Sequence, residues 1–218
     1  MMRISIVVPV VDEAAGIVAT LQALAPLRAA GHEVIVVDGG SRDGTPARAA
    51  PWADRVLGSE RGRARQMNAG AALAGGDVLL FLHADTLLPA GAAQVLCAAM
   101  QAGALWGRFN VHIAGASAWF PVIAALMNWR SRLSGIATGD QGIFVQTALF
   151  RRLGGYAEQP LMEDVELSRR LRGVAQPACL KERVLTSGRR WEARGVWRTI
   201  LLMWRLRWAY WRGAAPEA

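Results

Sequence analysis

Short aliphatic runs alternate with longer helix-like stretches through the first hundred residues of the chain. Ile4–Val8 leads into a helix predicted over Asp12–Arg28, Glu33–Val37 into Asp43–Ala50, Arg55–Leu57 into Gly62–Leu73, and Val78–Leu82 into Pro89–Gln101. Apolar strands separated by helix-length segments are the pattern of a mostly parallel sheet flanked by helices. Val34–Val37 and Val78–Leu82 are apolar on both faces, as strands in the middle of a covered sheet must be. The fold class is therefore α/β.

Beyond about residue 104 the alternation breaks. Residues 109–129 carry no formal charge, yet Asn110, His112, Gly115, Ser117 and Pro121 interrupt them, so the stretch predicts an interfacial or buried helix rather than a spanning one. Gly142–Val145 predicts one more strand, Glu163–Leu171 a short helix and Val196–Trp211 a long terminal helix. With no internal repeat and no low-complexity linker, the chain reads as a core domain over residues 1–190 followed by a terminal amphipathic segment over 191–218.

Composition narrows the class. Of 218 residues, 53% are hydrophobic and 19% charged, which excludes disorder and suits one core-bearing domain. Lys181 is the only lysine, and the wealth of Arg, Ala and Gly fits a GC-rich bacterial genome. Cys97 and Cys179 lack a CxxC partner, which argues against a disulfide or zinc framework and suits a reducing cytosol. The apolar run Ile4–Val11 is cut off by Asp12 and Glu13 with no cleavage site after it, so it reads as a strand and not a signal peptide. The net charge of +8 is uneven: residues 189–218 hold seven arginines against Glu192 and Glu217, a net +5.

Ligands of open α/β sheets bind beyond the carboxyl ends of the strands, and here those ends are acidic. The first strand runs into Pro9-Val10-Val11-Asp12-Glu13, the second into Asp38-Gly39-Gly40-Ser41-Arg42-Asp43-Gly44-Thr45, and the fourth into His83-Ala84-Asp85. Helix capping and tight turns account for any one of these loops. Three together are different, because Asp38 and Asp85 follow fully apolar strands where a carboxylate has no packing role and needs a cation or a donor.

In order and spacing these motifs resemble the family 2 glycosyltransferases of the GT-A, nucleotide-diphospho-sugar transferase fold, and the resemblance covers nearly the whole chain. It implies an inverting enzyme that moves a sugar from a nucleoside-diphosphate sugar to a hydroxyl acceptor, a lipid-like one included. It implies that Pro9, Asp12, Glu13, Asp38 and Gly40 hold the nucleotide and that Asp85 binds Mg²⁺ or Mn²⁺. Such a cation, held by carboxylate oxygen, neutralises a diphosphate leaving group. Where the family usually has Asp-x-Asp this chain has His83-Ala84-Asp85, so the role of His83 is open between ribose, metal and neither. By the same resemblance Asp164 of Met162-Glu163-Asp164-Val165-Glu166 is the general base. Glu163, Asp140 and Gln141 then fall on the sugar or acceptor side, and Arg190 and Trp191 near it. Arg190-Trp191 is similar to the end of the Gln-x-x-Arg-Trp motif of processive synthases, but Ser187 stands at the Gln position, which weakens the case for a polymerising enzyme.

Arg61, Arg63 and Arg65 open the third helix. Arg65, inside the first helical turn, is the expected diphosphate contact, since a guanidinium and a helix N-terminus both suit phosphate oxygens. For Glu163, Asp164 and Glu166 the alternative is an acidic first turn that complements the helix dipole.

In the terminal helix Trp197, Leu201, Trp204, Trp208 and Trp211 form a stripe, and Arg198, Arg205 and Arg212 recur every seven residues. That suits a membrane interface, which predicts a peripheral protein at the cytoplasmic face of the cell membrane. Packing of the tryptophans on the domain itself or across a homodimer is the alternative. Nucleic acid is not expected, with four arginines in the helix and no base-reading fold. Two other functions stay open: a nucleotidyltransferase, whose Gly-rich basic loop is missing here, and an inert nucleotide-sugar-binding, membrane-associated protein.

Overall fold

The computed structural model describes residues 2–212, apart from some side chains between Arg190 and Trp211, those of Arg190, Trp204 and Trp211 among them. The expectations for these three side chains and for residues 213–218 lie outside the described residues.

Four strands, β1 (Ile4–Val10), β2 (Glu33–Asp38), β3 (Arg55–Gly58) and β4 (Val78–Phe81), pair in parallel as expected. Helices α1 (Ile17–Ala29), α2 (Thr45–Ala49), α3 (Arg63–Leu73) and α4 (Ala92–Gln101) follow them in turn. β5 (Thr86–Leu87), β6 (Trp106–Ala114), β7 (Ile143–Gln146) and β8 (Ala178–Ser187) complete one mixed sheet in the order β3-β2-β1-β4-β7-β6-β8-β5. β7 runs antiparallel to β4 and β6, while β8 is parallel to β6. Alternate residues of β1 feed different layers. Ile4, Ile6 and Val8 pack with Leu21, Leu24 and Leu96, and Val7 packs with Met67, Ala71 and Leu167 on the other face.

Two expectations need correction. The uncharged run 109–129 is not one helix: it continues β6, turns at 115–119, and becomes α5 (Phe120–Ser134). Phe109, Val111 and Ile113 alternate into the core with a period of two, which fixes that half as strand. The first helix begins at Ile17 and not at Asp12, because Asp12 takes a left-handed backbone (φ 52°) and residues 11–16 form a loop at the sheet's edge. Three further helices, α6 (Thr147–Arg152), α7 (Glu163–Arg172) and α8 (Arg189–Arg194), precede α9 (Val196–Trp211).

Arg108, fully buried in β6, ties that strand to α5. Its guanidinium donates to Ser131 Oγ (3.1 Å), to the carbonyls of Asn128 (3.0 Å) and Phe109 (3.2 Å), and to Asn110 Oδ1. Burial lowers its pKa. Asn128 of α5 in turn serves as an artificial strand partner, accepting from Val111 N (2.8 Å) and donating to Val111 O (3.0 Å).

Candidate active site

The carboxyl ends of β1, β2 and β4 meet one edge of the sheet, and the loops there are knitted together by their own acids. Asp38 accepts from Gly40 N and Ser41 N, both at 3.0 Å, and from Ser41 Oγ. Gly40 sits at φ 86° with nothing near its Cα, so glycine here meets the conformational demand of the turn and leaves the floor open. Asp12 accepts from Arg42 N (2.8 Å) and its own N–H donates to Ser41 Oγ (2.9 Å). Glu13 N donates to Thr45 Oγ1 (2.9 Å), which fixes the Glu13 backbone; Pro9, half-buried, lies in β1 opposite Val37. Beneath this floor Gln66 Nε2 donates to the last carbonyls of two strands, Val10 O and Val37 O, both at 2.8 Å.

A continuous chain of contacts runs from the first loop to the far side of the edge. Arg189, which opens α8, bonds Glu13 and lies 3.7 Å from Asp85 Oδ2. Two residues before Asp85, His83 Nδ1 is 3.1 Å from Asp140 Oδ1, while its buried Nε2 packs against Gly139 so closely that a Cβ there would lie 2.4 Å away. Gly139 N donates to Asp164 Oδ2 (2.8 Å), and Val165 N to Asp164 Oδ1 (2.7 Å). Next to Asp164, Glu163 is 2% exposed and meets Arg63 NH1 at 3.2 Å. Met162, which caps α7 just before the two acids, is left-handed at φ 63°.

The charges are coupled. Burial raises the Glu163 pKa and the neighbouring Asp164 raises it further, against the pull of Arg63. For Arg63 burial works downward, but Glu163, Asp140 and Asp164 outweigh it and raise the guanidinium. Burial, followed by Asp164 and Glu163, pushes the enclosed Tyr156 hydroxyl well up.

Some expected residues stand elsewhere. Arg65 points to the surface and pairs with Glu60 and with Glu158 (3.2 Å). Its neighbour Arg63 is the arginine at the acidic cluster. Gln141 is fully buried, its amide within 3.3 Å of Asn128 Oδ1 and of Thr138 N, so it braces the turn that carries Asp140. Trp191 packs partly buried against the core. Sequence reasoning missed Gln66 altogether, since a lone Gln in a basic turn carries no signal, and it left Arg63 no better placed than its neighbours.

The lining is strongly anionic. Asp12, Glu13, Asp38, Asp85, Asp140, Glu163 and Asp164 stand against Arg63 and Arg189, which would repel a diphosphate unless a divalent cation accompanied it. No group of three His, Cys, Asp or Glu side chains among the described residues forms a ready cage. Mg²⁺-type sites at nucleotides take one or two protein carboxylates and complete the sphere with phosphate and water, and the Asp85 carboxylate, partly buried but still open to solvent, fits that pattern.

The family model for glycosyl transferase family 2 matches residues 5–153. The chain belongs to glycosyl transferase family 2. Solved structures share the fold: S. aureus TarS 1–349 is similar with a TM-score of 0.69 at 18% identity, over 86% of this chain and 61% of that one. The mannosyltransferase PcManGT from Pyrobaculum calidifontis, in complex with GDP-Man and Mn²⁺, gives 0.65 at 21%, over 84% and 56%. Glucosyl-3-phosphoglycerate synthase from Mycobacterium tuberculosis, with Mn²⁺, UDP and glucosyl-3-phosphoglycerate, gives 0.62 at 22%, over 84% and 70%. The chain thus spans about three fifths of the length of the TarS fragment. No curated protein matches it. The expected GT-A, α/β fold of a glycosyltransferase is shown, with the sheet mixed rather than mostly parallel in its second half.

Proposed function

We propose that this family 2 domain transfers a sugar, with inversion, from a nucleoside-diphosphate sugar to an acceptor hydroxyl, and that it does so as a peripheral protein at the cytoplasmic face of a membrane. The observation that carries the reading is the contact chain Glu13–Arg189–Asp85, His83–Asp140, Gly139–Asp164, which joins a nucleotide-type floor to a carboxylate held by two backbone amides. The family match ends at residue 153, so Asp164 rests on this geometry and on its motif.

The nucleotide lies over the Asp12 and Asp38 loops, with Gly40 leaving room for it. Asp85 would hold Mg²⁺ or Mn²⁺, which when bound supplies positive charge to the departing diphosphate; Arg189 adds a second cation beside it. Asp164 is oriented by the Gly139 and Val165 amides, each oxygen keeping a lone pair. It accepts the acceptor hydroxyl's proton as that oxygen bonds to the anomeric carbon and the bond to the diphosphate oxygen breaks. Arg63, paired with Glu163, lends positive charge beside Asp164. Attachment at the membrane is supported by the exposed Trp197 and Trp208 of α9 and by its arginine edge. No helix among the described residues is long and apolar enough to cross a membrane.

Asp164→Asn is expected to lower transfer about 10²–10⁴-fold, the usual worth of a general base, while leaving nucleoside-diphosphate binding intact. Asp85→Ala is expected to abolish transfer and the Mn²⁺-dependent part of nucleotide binding. Thermal shift against nucleoside diphosphates with and without Mn²⁺, beside release of nucleoside diphosphate, reads both; wild-type behaviour from either variant removes that residue from the mechanism.

A further inference from the structure

We propose that the outer face of α5, joined to α9, is a membrane-docking surface for an anionic phospholipid bilayer; this rests on the peripheral-membrane reading above and moves its centre from the terminal helix to the body of the domain. α5 buries Phe120, Ile123, Ala124 and Ser131 against the sheet. Its opposite face is also apolar: Trp119, Val122, Leu126, Trp129 and Leu133 recur at steps of three and four, and the last three are 59%, 63% and 68% exposed. A soluble helix at this depth would carry polar residues there. An exposed apolar stripe of this size on a second face belongs against another surface, and nothing among the described residues covers this one.

The second helix extends the same surface. Trp119 and Trp197 meet edge to face with ring centroids 5.0 Å apart, so the α5 stripe runs on into the exposed Trp197, Leu201 and Trp208 of α9. Exposed arginines border it, Arg132 on α5 and Arg198, Arg205 and Arg212 on α9, with Arg212 stacked 4.6 Å over the Trp208 ring. Tryptophan at headgroup depth and arginine at anionic phosphate are the pairing of an interfacial surface.

Charge selects the occupant. Residues 86–139 contain no Asp or Glu, and neither do residues 193–216. A second copy would set this arginine-bordered face against itself with no acid to pair, whereas an anionic bilayer complements it. Position fits as well: Gly135, at the end of α5, and Gly139 are four steps apart along the chain, a reach of at most ~14 Å. The docked face therefore adjoins the side of the site where Asp140 and Asp164 stand, the acceptor side.

The test uses the full chain and the double variant Leu126→Glu/Trp129→Glu, whose positions are outward and far from the nucleotide floor. Flotation with vesicles of phosphatidylcholine containing phosphatidylglycerol is expected to carry wild type with the lipid, and the variant at least ten-fold less. Nucleoside-diphosphate thermal shifts in the same preparations report folding and the donor site separately, so a failure of the enzymatic reading shows there and not in flotation. Equal flotation of the two proteins, or none by the wild type, overturns the proposal. So does a wild-type dimer in analytical ultracentrifugation that the variant dissolves without any difference in vesicle binding, which assigns the face to a second copy.

Discussion

Glu163 shows how a single residue can be an energetic liability kept for position. It is buried beside a second acid, and burial with that neighbour outweighs Arg63 to raise its pKa above the ordinary value of 4.5. A carboxyl whose folded pKa is raised contributes stability below the ordinary value and loses it as pH rises through the folded one. Wild-type stability should therefore fall across that window above pH 4.5, and Glu163→Gln should flatten the fall. Thermal denaturation from pH 4 to 8 checks it: the melting temperature of the variant relative to wild type should rise with pH, at about 2–4 °C per kcal/mol for a chain of this size. An unchanged pH profile would mean that Glu163 stays ionised throughout. The acidic residues of the site were legible in sequence because a carboxylate after an apolar strand has no structural excuse. The cations were not, since Arg61, Arg63 and Arg65 look alike until the backbone decides that Arg63 meets Glu163 while Arg65 meets Glu60 and Glu158. Gln66 was invisible for the same reason, its work being to satisfy carbonyls at two strand ends that only the fold brings together.

Among elements, the first four strands and their helices were readable because β2 and β4 are apolar on both faces and the short apolar runs alternate with helix-like stretches. The second half was not. β6 contains Arg108, Asn110 and His112 between its core residues, and β8 is an edge-like strand with Lys181, Arg183 and Leu185 exposed, so neither reads as buried sheet. What settles β6 is pairing with β7 and β8 and the lock that Arg108 makes with α5, all long-range. Arg108→Lys replaces a planar fork of donors by a point charge and leaves several of these acceptors unmet. A loss of about 2–4 kcal/mol is expected, one or two unsatisfied buried groups at 1–3 kcal/mol each, seen as a lower urea midpoint with an unchanged slope. Because the same seam seats α5, vesicle binding should weaken in step with stability.

At the scale of the whole molecule the net charge of +8 conceals a separation: an acidic crevice at one edge of the sheet and an acid-free, arginine-bordered apolar face on α5 and α9. The two answer to salt differently. Screening at 0.5 M shortens the reach of the arginines to a few ångströms but leaves tryptophan burial untouched. Binding to phosphatidylglycerol vesicles should therefore weaken by a modest factor between 0.05 and 0.5 M NaCl, whereas binding to duplex DNA, which has only the charge to work with, should vanish over the same range. Flotation and filter binding on one salt series check both, and persistent DNA binding at 0.5 M would reopen the nucleic-acid question. The separation was half legible: the terminal arginines and tryptophans stand out in the sequence, while the α5 face was hidden in an uncharged run that resolves into strand and helix only in three dimensions.

Arg189 bonds Glu13 across 176 positions of sequence and leans on Asp85 from the end of the last strand. In the order of synthesis this bridge closes after the strands that it spans. The four parallel strands, with Glu13 and Asp85 after their carboxyl ends, are synthesised first, and Arg189 can reach those two acids only once β8 and α8 have followed. The contact that ties the first loop to the eighth helix thus closes only after the sheet that frames it has been made.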